Sequence, residues 1–246
     1  VHILLPPSET KRDGGADGSV LDLDALGFSN LNSLRRSMLS AVRTLSSNRA
    51  TAAAALGLSK AQYFEVDRNR SLRRSPTLPA LDRYTGVLYD ALDAASLPEP
   101  SRAFAAEHVV IHSALFGLVR ASDPIPAYRL SHDSKIPDHP LGRTWRNAIS
   151  HELDQLPGFV LDLRSESYVS LGAAPAGSQF LRIVTEGPNG TRRALNHFNK
   201  KAKGEFVRAV LLDEVDFLDV GALLEWAKGR GIRLEDGNQG ELQLVV

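Results

Sequence analysis

The chain has 246 residues, enough to bury a substantial core, and its 29 basic residues are balanced by 29 acidic ones. Net charge therefore points to no polyanionic partner, and any anion-binding surface must come from local clustering. With no cysteine and one methionine, Met38, thiol peroxidase chemistry, disulfide exchange and Cys-based zinc or iron–sulfur centres are excluded.

Val1 to Leu5 reads as a short apolar strand that stops at Pro6-Pro7. A polar, glycine-rich loop follows to about Ser19; its Lys11-Arg12 and backbone N–H groups make it a candidate binding element. It matches neither the P-loop nor the dinucleotide-binding spacing. From Leu31 to Val66 the pattern is helical, with Leu34, Met38, Ala41, Val42 and Leu45 at helical spacing. Gly57 reads as a helix stop and Ser59 as the next N-cap, which makes Leu56-Gly57-Leu58-Ser59 a hairpin between two short helices. Its exposed N–H groups could meet a DNA phosphate as a helix start does; the alternative is an ordinary helical corner. Arg68, Arg70, Arg73 and Arg74 form a basic run, read as a solvated loop, and Leu81 to Leu97 reads as a helix whose Gly86 needs a reason such as close packing or a bend near a ligand.

The stretch from His108 to Leu130 organises the chain. Val109 to Ile111 reads as a buried strand, Ser113-Ala114 as the turn at its end, and chemistry in α/β proteins gathers at such strand ends. Pro124 and Pro126 hold an extended path to Tyr128-Arg129. Arg120 and Arg129 thus flank a stiffened loop, and two guanidinium forks suit a carboxylate or phosphate, unless each merely pairs with an acid such as Asp123. Beyond it come a helix from Leu141 to Leu156, a strand from Phe159 to Leu163 and a polar segment containing Ser165 and Tyr168. Strands at Phe180 to Glu186 and Thr191 to Phe198 are joined by the turn Gly187-Pro188-Asn189-Gly190. Helices from Lys200 to Leu212 and Asp219 to Lys228 follow, then edge strands at Ile232 to Leu234 and Leu242 to Val246. The pattern predicts one α/β domain over residues 1–246, a mixed sheet flanked by helices.

His108 and His112 lie on a predicted strand, where a spacing of four does not make a metal pair, and His132, His139 and His151 show no metal signature; neither a metal nor a cofactor is expected. Neither Ser113 nor Ser165 sits in a Gly-x-Ser-x-Gly elbow. The sharper signal is Asn199-Lys200-Lys201-Ala202-Lys203-Gly204. Asn199 reads as an N-cap, and three lysines crowd the helix end whose dipole is already positive, an arrangement that an anionic ligand would favour. Ala202, Phe206, Ala209 and Val210 give that helix a buried face. Arg129 and at least one of Lys200, Lys201 and Lys203 are therefore expected to face one concave site, with Lys11, Arg120, Tyr128, Ser165 and Tyr168 as further candidates.

The helix pattern Tyr84-x-Gly86-x-x-Tyr89, the series Ser113-x-Leu115-x-Gly117-x-x-Arg120-x-x-Asp123 leading to Tyr128-Arg129-Leu130, then Ser165, Tyr168 and Lys200-Lys201-Ala202-Lys203-Gly204 together resemble the YaaA family. These are bacterial cytoplasmic proteins linked to resistance to peroxide stress, and the resemblance covers nearly the whole chain. This sequence departs at Pro6-Pro7-Ser8-Glu9-Thr10-Lys11, where the family has Ser-Pro-Ala-Lys-Thr, and at Ser131-His132, where it has Glu-Met. It departs again at Ser167, where the family has glutamate, and at Lys203, where it has arginine. The resemblance implies a compact α/β fold, a positively charged cleft, a helix-hairpin-helix element associated with double-stranded DNA, and a role in limiting damage from peroxide and free iron. It supplies no reaction. Two readings follow: a DNA-binding stress-protection protein, or an enzyme acting on a small phosphorylated or carboxylated substrate. No long apolar span or cleavable leader is seen, so a cytoplasmic protein with no membrane partner is expected.

Overall fold

A computed structural model describes residues 1–187, 192–194 and 198–246. The apolar run before Pro6-Pro7 is strand β1 (His2–Leu5), and its tail is fully buried because strands lie on both sides of it. The chain then passes through α1 (Asn32–Leu45), α2 (Arg49–Ala55), α3 (Phe64–Ser71), a short strand β2 (Thr77–Pro79), α4 (Ala80–Arg83), α5 (Val87–Leu92) and α6 (Glu99–His108). It returns to the sheet as β3 (Val109–Ser113), reverses into β4 (Gly117–Arg120), and crosses β2 as β5 (Pro124–Pro126). Next come α7 (Leu141–Asp154), β6 (Val160–Asp162), α8 (Glu166–Val169), β7 (Gln179–Glu186) and β8 (Arg192–Ala194). The chain ends with α9 (Phe198–Asp213), α10 (Val220–Gly229), β9 (Leu234–Asp236) and β10 (Glu241–Val245).

The main sheet has the order β4-β3-β1-β6-β7-β10-β9, with β8 added to β7. Its five inner strands, β3, β1, β6, β7 and β10, are parallel, and β4, β8 and β9 pair antiparallel. Parallel strands buried on both faces read as unbroken apolar runs, which is what β3 and β6 show: every residue of both is buried. The fold is α/β, with helices over a mixed sheet and one continuous core from Val1 to Leu244. From β1 the chain moves to β3 on one side; from β6 it moves to β7 on the other. The carboxyl ends of β1 and β6 are therefore a topological switch point, where loops diverge and leave a crevice.

Several elements differ from the sequence reading. The helix expected from Leu81 to Leu97 is broken into α4, α5 and a 3-10 turn at Ala94–Ser96, because Gly86 takes φ 100° and starts α5 rather than sitting inside a helix. Arg68 and Arg70 lie on α3, not in a loop. His108 ends α6 rather than opening a strand. Of the two strands expected at an edge near the chain end, β9 is one and β10 is an inner strand. Asn199 falls within the first turn of α9, which begins at Phe198. In the predicted hairpin, β7 and β8 pair antiparallel, while Pro188 to Thr191 and Leu195 to His197 lie outside the described residues.

Candidate functional site at the carboxyl ends of β1 and β6

A cavity of about 670 Å³ occupies the switch point. One wall is the loop from Pro6 to Thr10 after β1, and the opposite wall holds Ser165, Ser167 and Tyr168 after β6. Gly86 and Tyr89 at the start of α5, Leu130 to His132, and Asn199, Lys200 and Lys203 on α9 close the rest. The first loop is rigidly placed: the Tyr89 hydroxyl donates to the Pro6 carbonyl at 2.8 Å, and the Lys11 amine donates to the carbonyls of Ser8 and Glu9 at 2.8 and 3.2 Å.

The cavity's charge is lopsided. Lys203 is 5% exposed, and its amine donates to the Leu163 carbonyl at 2.9 Å and lies 5.3 Å from the Phe180 ring centre. Burial pushes this ammonium down to about 8, with Asp162 pulling the other way. Lys200 stands exposed at the rim. Among the described lining residues Glu9 is the only acid, and its charge is already taken by Arg129, whose Nη2 lies 2.6 Å from the Glu9 carboxylate. A protein with no net charge thus places two lysines in a cavity whose one described acid is paired with an arginine.

Behind the walls two polar networks hold the strand ends. The Ser113 hydroxyl accepts from the N–H groups of Leu115 and Phe116, so its own proton goes to Tyr128 at 2.7 Å, and the hydroxyls of Tyr128 and Tyr84 share a hydrogen bond at 2.8 Å. Lys11 lies 4.0 Å from the Tyr128 ring centre and 5.3 Å from that of Tyr84. Burial drives its ammonium down to about 7, Glu65 opposing and Arg129 and Arg68 adding to the fall. The second network is the fully buried pair of Arg164 and Asp162, which meet through Arg164 Nε and Nη2 at 2.9 and 2.6 Å. Arg164 Nη1 also donates to His112 Nδ1 at 3.0 Å; a guanidinium can only donate, so the His112 ring is neutral with its proton on Nε2, and burial holds its pKa well below the usual value. The His112 ring meets Tyr168 edge-on at 5.2 Å, which links this pair to the cavity wall.

A family model described as peroxide stress protein YaaA matches residues 1–230. The chain belongs to that family. Among curated relatives, a UPF0246 protein of Corynebacterium glutamicum is 39% identical over 251 residues, covering 99% of each chain. A UPF0246 protein of Streptomyces coelicolor is 38% identical over 217 residues, covering 85% of this chain and 82% of its own. An uncharacterized protein of Campylobacter jejuni is 30% identical over 143 residues, about half of each chain at 57% and 56%.

In this YaaA protein the cavity gathers Ser165, Tyr168, Lys200 and Lys203 from the sequence candidates. Lys11, Tyr128 and Arg129 sit immediately behind its wall, bonded to residues that line it or to one another's neighbours. Arg120 is elsewhere: the β3–β4 reversal pairs it with Val110, at the opposite end of β3 from Ser113, where it packs 5.3 Å from the Phe28 ring centre and donates to the Glu107 carbonyl. Lys201 points to solvent and pairs with Glu205 at 3.4 Å, one turn along α9. Beyond Thr10 the glycine-rich loop is laid on α4 and β2, its carbonyls at Arg12 and Gly14 taken by the buried Arg83, so only its first residues reach the cavity. Leu56 to Ser59 does form a corner: Gly57 has φ 62°, and Ser59 and Gln62 form a capping box on a 3-10 turn at Lys60–Gln62. The sequence reading missed Glu9, Ser131, His132, Ser167 and Asn199. The strand stop at Pro6-Pro7 was the one available pointer to Glu9, since residues just past a parallel strand face the switch point; Asn199 was read only as a helix cap, and Ser131, His132 and Ser167 only as departures from the family pattern.

Proposed function

We propose that this YaaA protein serves peroxide resistance by binding a small anionic ligand, phosphorylated or carboxylated, in the cavity at the carboxyl ends of β1 and β6, and by acting on it there. The observation that carries this reading is the pair of amines on α9, Lys200 and the buried Lys203, in a cavity whose one described acid is already neutralised. Burying an ammonium costs free energy unless something negative meets it, and among the described residues the amine of Lys203 hydrogen-bonds only to carbonyl oxygens, with Asp162 acting on it from a distance. The cavity's size and its apolar lining from Leu88, Leu130, Leu163 and Tyr168 fit a small molecule rather than a duplex. Ser165, Ser167 and His132 supply hydroxyl and imidazole groups for orientation or proton transfer. Among the described residues no helix is long and apolar enough to cross a membrane, and a cytoplasmic site of action is part of the proposal.

Thermal unfolding with panels of nucleotides, sugar phosphates and carboxylates tests it. A ligand at a hundredfold excess over its Kd adds about 2.7 kcal/mol, so at least one panel should raise Tm by several degrees, and Lys203→Met should abolish the rise. No shift from any panel would remove the reading.

Double-stranded DNA is the second reading, supported by the Gly57 corner and the exposed Arg73 and Arg74. Against it, several cations of the run from Arg68 to Arg74 and of the stretch from Arg192 to Arg208 are spent internally: Arg68 on Asp13 and Glu65, Arg70 on Asp67, Arg192 on Glu235, and Arg208 on the carbonyls of Leu92 and Asp93. If DNA binds, affinity should fall with a log-log salt slope of about −0.9 per phosphate neutralised, and a duplex that fails to bind at low salt would end this reading.

A further inference from the structure

We infer that the guanidinium of Arg129 is the subsite that anchors the ligand's phosphate or carboxylate, and that Glu9 occupies it as a resident carboxylate until the ligand displaces it. The inference rests on the anion-binding reading above and goes beyond it by naming the group that takes the anion and the group that must leave.

Arg129 is 8% exposed, and Asn69 fixes its backbone on both sides, donating to its carbonyl at 2.8 Å and accepting from its N–H at 2.9 Å. On an arginine, Nε–H and one Nη2–H point the same way and form a fork matched to two oxygens of a carboxylate or phosphate. Here the fork is half filled. Nη2 reaches the Glu9 carboxylate at 2.6 Å, while Nε is buried and has no hydrogen-bond partner among the described residues. A buried donor left unpaired is costly, and a polar site that tolerates one is a candidate for an absent ligand atom.

Glu9 is suited to leave. Its side chain is 60% exposed and lines the cavity, so its carboxylate can turn into water, whereas its backbone is held by Lys11. Leu130, Ser131 and His132, the residues that follow Arg129, line the same cavity. Turning Glu9 away therefore joins the fork to the existing space without moving the main chain. Lys11 lies under the same loop, and a dianion arriving there would favour its charged form more than the single charge of Glu9 does. Lys203 and Lys200 on the far wall then meet a second polar part of the same molecule.

Calorimetric titration with inorganic phosphate and pyrophosphate of the wild type, Glu9→Gln, Arg129→Lys and Lys203→Met tests the inference. Glu9→Gln removes the competing charge and keeps the shape, so phosphate should bind about tenfold tighter or more. Arg129→Lys keeps the charge but loses the fork, and should lose most of that affinity in either background. Should Arg129→Lys fail to fold, the wild type and Glu9→Gln decide alone, because both retain Arg129; the Arg129 Nε–H resonance in each should move on adding phosphate. Equal phosphate affinity in wild type and Glu9→Gln, with loss in Lys203→Met, would overturn the Arg129 subsite and leave the cavity reading standing. If neither anion binds any variant at millimolar concentration, both fall.

Discussion

Two buried lysines set how this molecule answers pH. Lys11 and Lys203 have their ammonium groups pushed from 10.5 to about 7 and about 8, chiefly by burial. Between those values and 10.5 the unfolded chain binds more protons than the folded one, so stability rises with pH across that window. The buried tyrosines act in reverse: burial raises Tyr84, Tyr89 and Tyr168 well above 10.0 and Tyr128 to about 12, so the stability they give is present below pH 10 and lost above it. Urea unfolding at pH 7, 8 and 9 should therefore show increasing stability, and Lys11→Met should flatten the rise. A flat or falling wild-type profile over that range would show that these amines are solvated. At this scale the sequence was informative where a residue broke a local rule. Lysines crowding the positive end of a helix marked Lys200 and Lys203, both in the cavity. It was uninformative where tertiary pairing decides. Arg120 and Arg129 look equivalent along the chain, yet one packs at the far end of β3 and the other meets Glu9, 120 positions away in the chain.

Helix α9 delivers both amines, and its position depends on contact with α5. Gly204 faces the carbonyl of Leu88; a methyl there would overlap that oxygen and lie 2.9 Å from the Ala91 Cβ. Gly204→Ala gains up to about 1 kcal/mol of helix propensity, but overpacking of this kind costs about 1–3 kcal/mol, so net destabilisation of up to about 2 kcal/mol is expected once that gain is subtracted. Because Lys203 and Leu88 both line the cavity, the same variant should weaken ligand binding. Denaturant midpoints and ligand-induced Tm shifts measured together check this, and an unchanged midpoint would show that the two helices have slack. Elements with strong periodicity were legible: α7 and α9 lie where apolar spacing put them, within a few residues at each end, and α1 opens the stretch from Leu31 to Val66 that reads as helical. The interrupted helix around Gly86 was not, because its break comes from a positive φ at the cavity rim, beside Ser8 and Thr10. The inner place of β10 was hidden as well, since sheet order depends on which crossover passes which strand.

With no net charge overall, the molecule places Lys200 and Lys203 in one cavity beside a single described acid, Glu9. Several surface arginines are engaged with carboxylates and carbonyls, which supports the proposal that an anion is met at the switch point rather than on the exterior. The α/β class followed from alternating strand and helix patterns, whereas the switch point required the strand order, which sequence periodicity does not encode. The most direct measurement is an NMR titration of the Lys203 side chain, with and without saturating inorganic phosphate. The amine should titrate near 8 in the free protein and higher with phosphate bound, because a neighbouring anion favours the charged form. A Lys203 that titrates like a solvent-exposed lysine, or one that phosphate leaves unmoved, would contradict an anion site in this cavity.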